Sequence, residues 1–173
     1  MTKDVIEAIE ERRSIHGFEE TSIPDATIGR LIESARLAPS AGNLEPWKFV
    51  VVQRGELKHS LAAAAFDQRF IAEAPVCIVV CAEPERSAVQ YGERGANLYC
   101  LLDAAAAVQN ILLTTTAYGL GSCWVGAFDE EKVKTVLGLG PEYRPIAIIP
   151  VGYPTEEPSE IPRRSIEETT LLM

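Results

Sequence analysis

The 173-residue chain sets 16 Lys and Arg against 25 Asp and Glu, a formal net charge of -9 at neutral pH. That balance argues against a nucleic acid or an anionic membrane as partner, because binding phosphates on that scale needs a continuous basic face. Hydrophobic residues make up 47% and aromatic ones 7%, which describes a globular chain with a core of Ala, Val, Ile and Leu, long enough for one domain over 1–173 without metals or disulfides.

Val5, Ile6 and Ile9 recur at helical spacing behind a Thr2 or Asp4 cap, predicting a first helix that runs to Arg12 or Arg13, with Ser14 leading out. This amphipathic start has no signal-peptide core, and the sequence shows no apolar run of 18 residues without polar interruption, so a cytoplasmic protein is expected. Ser22, Pro24, Ile28, Leu31, Ile32 and Ala35 mark a second helix that stops before Pro39. Pro39 to Pro46 is a loop. Trp47 to Gln53 reads as a buried strand, Glu56 to Ala65 as a helix and Val76 to Ala82 as a second buried strand.

From Arg94 to Tyr118 the chain is apolar on nearly all sides, with Asp103, Gln109 and Asn110 as the main exceptions and Gly119 as its stop. A helix of that length would span roughly 36 Å. Its apolar perimeter needs cover, which a second subunit would supply. A short strand from Ser122 to Gly126, a helix from Asp129 to Leu137 and a strand from Ile146 to Val151 follow. Pro154, Pro158 and Pro162 then favour an extended tail that wraps across a neighbour. Strands separated by helices give an α+β or α/β layer structure.

Cys77, Cys81, Cys100 and Cys123 show no CxxC spacing and lie in apolar runs, as buried free thiols do. Cys77 and Cys81 would stand roughly 13 Å apart along one strand, too far to share a metal ion, and no metal site is expected.

Three segments and the tail carry chemistry. Arg12-Arg13-Ser14 and Arg163-Arg164-Ser165 pair guanidinium forks with a hydroxyl, a donor set that suits a phosphomonoester. Either pair alone reads more readily as a solvated helix end. Pro39-Ser-Ala-Gly-Asn-Leu-Glu-Pro46 is a stiff loop whose backbone can approach a flat ligand, or an ordinary helix-to-strand connection. Gly119-Leu-Gly-Ser-Cys-Trp-Val-Gly126 can aim main-chain N–H groups at an acceptor, or cap a helix and start a bulged strand.

Arg12 to Phe18, Ala38 to Trp47, Gly119 to Gly126 and the Arg163 tail, in this order, resemble the nitroreductase family of FMN-dependent flavoproteins over Glu11 to Glu168. The resemblance implies an α+β fold, a central mixed β-sheet flanked by helices, and a homodimer with FMN at the interface and a C-terminal tail extending onto the partner. It assigns Arg12, Arg13 and Ser14 to the phosphate and ribityl chain, with Arg163 and Arg164 completing the phosphate site. His16 would stand by the flavin N1 and O2 edge. Pro39, Ser40, Ala41 and Asn43 would pack on FMN from the other subunit, and Val125 and Gly126 would lie near N5 and O4.

Two positions depart from the family pattern: His16 replaces Arg or Lys, making the charge beside the flavin depend on its surroundings, and Glu45 replaces Gln. The neighbouring Asp67, Gln68 and Arg69 carry a weaker match. The implied reaction is ping-pong: NADH or NADPH gives hydride to FMN, which then reduces a nitroaromatic, a quinone or a related small acceptor, with the flavin rather than a side chain carrying the chemistry. A non-catalytic FMN store or sensor, or the same fold with another acceptor, stays open on the sequence alone.

Overall fold

A computed structural model describes residues 2–157 and 161–173 of the chain. Helix α1 (Val5–Glu11) starts from a capping box between Asp4 and Glu7. Helix α2 (Asp25–Arg36) follows Pro24, whose fixed φ suits a helix start. Strand β1 (Trp47–Val52), helices α3 (Gly55–Ala64) and α4 (Phe70–Glu73) and strand β2 (Val76–Ala82) come next. Helices α5 (Pro84–Arg94) and α6 (Cys100–Ala117), strand β3 (Gly121–Ser122), helix α7 (Glu130–Leu137), strand β4 (Arg144–Gly152) and a one-turn helix α8 (Ile166–Thr169) complete the order.

The sheet runs β1-β2-β4-β3 with every neighbouring pair antiparallel. Its parallel component is a single bridge, Ser14 to Ser122, on the β3 edge. All seven residues of β2 are buried, and alternation sorts them between two layers. Ile78 and Val80 face α2 and α6, whereas Cys77, Val79 and Cys81 face α3, α4 and α7. The result is an α+β sandwich of helices, sheet and helices.

Three expectations need correction. The helix expected from Arg94 to Tyr118 opens as a π turn at Gly95–Tyr99 before α6, and α5 precedes it from Pro84 to Arg94. Gly92 leaves helical geometry at φ 55°, ψ -143°, and Gly95 packs against the Ser87 carbonyl where no Cβ fits. Helix α5 itself was hidden because its sequence is polar. The whole stretch Pro84–Ala117 is long and apolar enough to cross a membrane by length and composition, but α6 buries Ala104, Ala107, Val108, Ile111 and Leu112 in the core formed with α2 and the sheet.

The strand expected at Ser122 to Gly126 pairs regularly only at Gly121–Ser122 and returns as an isolated bridge from Val125 to Ile148. The gap lies opposite Pro150, which has no N–H to return to Cys123, so Cys123 N–H donates one long bond of 3.4 Å to the Pro150 carbonyl. On α1 the buried residue is Ala8, while Val5, Ile6 and Ile9 are 63%, 58% and 53% exposed. The apolar stripe of that helix faces outward.

Candidate functional site

The end of α1 places the first group of residues. Arg12 is the C-cap of α1. The guanidinium of Arg13 donates to the Glu10 and Arg12 carbonyls at 2.6 and 2.9 Å, so part of its donor capacity closes the helix end. Ser14 then pairs with Ser122, and the Ile15 N–H donates to the Ser122 carbonyl at 3.0 Å. Arg12 and Ser14 are thereby held beside Cys123. Burial pushes the Cys123 thiol up, and the Ser14 hydroxyl and the Arg12 charge partly offset that rise.

His16 stands next to the same thiol. Its Nε2 lies 3.5 Å from Cys123 Sγ, and its ring meets Phe70 edge-on at 4.8 Å. The backbone N–H groups of His16 and Gly17 donate to Glu156 Oε1 at 2.6 and 3.2 Å, and His16 Nδ1 is 4.0 Å from the same oxygen. Thiol and carboxylate therefore bracket the imidazole.

Further along this edge, Gly126 opens onto a cavity of about 300 Å³ lined also by Leu101, Ala105, Trp124, Phe128, Glu130, Arg144, Pro145 and Ile146. Trp124 is 39% exposed at its rim, unlike Trp47, which is core. Arg144 makes two bonds of 3.1 Å with Glu130, and this contact raises its pKa further.

The loop from Pro39 to Pro46 lies elsewhere. Gly42, Asn43 and Glu45 take left-handed backbone at φ 59°, 55° and 50°. The Glu45 N–H donates to Ser40 Oγ at 3.0 Å, and the Ala41 N–H donates to both oxygens of Asp103 at 3.1 and 3.2 Å. Asp103 is 9% exposed, and burial raises its pKa. On α6, Asp103 is two residues from both Leu101 and Ala105, about 200° around the helix from the face that lines the Gly126 cavity. The loop also feeds β1, the sheet edge opposite β3.

Within the chain, then, Arg12, Arg13, Ser14, His16, Val125 and Gly126 follow the β3 edge, while Pro39, Ser40, Ala41 and Asn43 stand on the far side of α6. Arg163 and Arg164 are exposed, as is every residue from 161 to 173. Among the described residues, Arg12, Arg163 and Arg164 have no carboxylate partner in a chain of net charge -9. Pro158 lies outside the described residues. The sequence patterns single out neither Asp103 nor Glu156 as a site residue. A carboxylate in an otherwise apolar helix was the available signal for Asp103, and nothing local marked Glu156.

The sequence profile of the Nitroreductase family matches residues 9–69 and 62–153. The chain belongs to the nitroreductase family. It is 33% identical over 187 residues to the NADH dehydrogenase of Thermus thermophilus, covering 92% of this chain and 91% of that protein. It is 27% identical over 173 residues to the FMN reductase (NADPH) of Bacillus subtilis, covering 92% and 70%. Among solved structures, a nitroreductase family protein from Streptococcus pneumoniae superposes with a TM-score of 0.89 at 27% identity, over 98% of this chain and all of that one. The nitroreductase fold accounts for the sheet and its helical layers, and Arg12, Ser14 and Gly126 all lie within the matched residues.

Proposed function

We propose that this protein is an FMN-dependent oxidoreductase that takes hydride from NADH or NADPH and reduces a nitroaromatic, a quinone or a related small acceptor, working as a homodimer. The carrying observation is the split cradle. Arg12, Arg13 and the Ser14 hydroxyl follow the β3 edge, while the stiff 39–46 loop stands on the other side of α6. Two copies close what one leaves open. The exposed Val5, Ile6 and Ile9 on α1 supply apolar surface of the kind a subunit interface uses.

The donor set fits FMN. Arg12 offers a planar fork for a phosphate, and Ser14 adds a hydroxyl. Arg13 retains the donors that α1 does not use, and Arg163 and Arg164 bring two further charges on an exposed tail that extends to the partner. Gly126, without a side chain, leaves its N–H open toward a ring edge. Asn43 and Ser40 would reach the flavin from the other subunit, with Pro39 and Ala41 shaping the wall. Bound there, FMN would supply hydride acceptance and its onward transfer.

His16 would stand at the pyrimidine edge, where Glu156 and Cys123 orient its ring. Trp124 and Phe128 give the adjacent cavity aromatic walls, and the Arg144–Glu130 pair also lines it. Walls of this kind fit a flat small acceptor.

The visible spectrum of the purified protein with added FMN tests the reading, followed anaerobically by NADH and then NADPH. A bound flavin that bleaches with either donor and recovers its colour on adding a quinone supports it. Failure to bind FMN overturns it, and a flavin that binds but never bleaches leaves a store or sensor.

A further inference from the structure

We infer that Asp103 is the positioning residue for the 39–46 loop: by accepting the Ala41 N–H it holds Ser40 and Asn43 in the pose that meets FMN across the subunit boundary, an inference that rests on the flavin reading above. The loop cannot hold this pose alone. Asn43 and Glu45 are non-glycine residues in left-handed backbone, a conformation that persists only where surrounding groups over-determine it.

Bonds inside the loop account for part of that constraint. Asn43 N–H donates to the Ser40 carbonyl, Leu44 N–H to the Ala41 carbonyl, and Glu45 N–H to Ser40 Oγ. With its oxygen so used, the Ser40 hydroxyl keeps its own proton free to donate outward. The Ala41 N–H points away from the loop, and among the described residues Asp103 alone receives it.

Asp103 in turn has no other partner among the described residues. A buried carboxylate facing one neutral donor is a poor stabilising device, since desolvation outweighs one hydrogen bond. Asp is also a weak helix former in a helix interior. Its use here is to fix the loop. Asn110, seven residues on and so on the same face of α6, donates to the Ser34 carbonyl at 2.9 Å. Helix α6 thus grips the chain at Ser34 and again at Ala41. From α5, the Arg86 guanidinium donates to the Leu44 carbonyl, and Gln90 and Tyr91 fill the space where a Gly42 side chain would be, 2.8 Å from an added Cβ.

The test compares full-length wild type, D103A and D103N by residue-resolved hydrogen exchange without flavin and by FMN affinity from flavin fluorescence. Asn retains an acceptor oxygen and Ala does not. In D103A, amides 41–45 should exchange about tenfold faster and FMN should bind about tenfold more weakly. The amides of β2 should stay as protected as in wild type, and D103N should remain close to wild type in both measurements. Unchanged loop exchange in D103A overturns the inference, as does exchange that rises equally in β2 and the loop. If D103A does not fold, D103L removes the acceptor without a cavity and is judged identically. Wild type that takes up no FMN sinks the flavin reading itself; wild type and D103A that bind FMN equally well sink only the role of Asp103.

Discussion

Burial decides what individual ionisable residues do in this chain. Cys77 and Cys81 face the α3, α4 and α7 layer, and desolvation pushes both thiols up to about 12. The thiolate is the reactive form, so a small alkylating reagent at about pH 8 should leave both unlabelled in the native protein and label both in urea; rapid native labelling would contradict the packing. Asp103 titrates in the opposite sense to most structural carboxylates. Its folded pKa is raised by burial, with the Ala41 N–H only partly opposing, so the native state holds its proton more tightly than the unfolded chain does. Its contribution is most favourable below the ordinary Asp range and is lost as pH rises through the raised value. The stability of wild type relative to D103N, from urea unfolding, should therefore improve as pH falls from neutrality toward the ordinary Asp range. A difference that does not move with pH would refute that account.

At the scale of elements, caps and turns set the boundaries from which the site hangs. Asp129 accepts the Glu131 and Lys132 N–H groups, both at 3.1 Å, and so starts α7, whose first residue Glu130 holds Arg144 at the cavity wall. D129A should cost about 1 kcal/mol of unfolding free energy, measured by denaturant titration. Elements with strong periodicity or apolar runs were legible in the sequence: β2 was expected at Val76 to Ala82 and stands there. Those decided by distant partners were not. The Gly92 kink depends on how α5 packs against the π turn, the break in β3 on Pro150 across the ladder, and the outward stripe of α1 on α6 accepting only the small Ala8. The candidate site divides similarly. Arg12, Ser14, the 39–46 loop and Gly126 stand out as candidates through short local patterns, whereas Asp103 and Glu156 make contacts 62 and 140 residues away in sequence.

For the whole molecule, the division of the cradle around α6 has a consequence that no single-subunit site shares. If each FMN is held by Arg12 and Ser14 of one copy and by Ser40 and Asn43 of the other, R12A and N43A homodimers lose flavin affinity for different reasons. Mixing the two variants, unfolding and refolding them together yields heterodimers in which one site carries both lesions and the other carries neither. Random pairing makes half of all dimers mixed, each with one intact site of two, so about a quarter of the wild-type FMN capacity should return. Equilibrium dialysis against FMN on the refolded mixture measures that fraction, with each variant refolded alone as the control. A site completed within one subunit gives no such recovery, because every chain then carries its own defect whatever it pairs with.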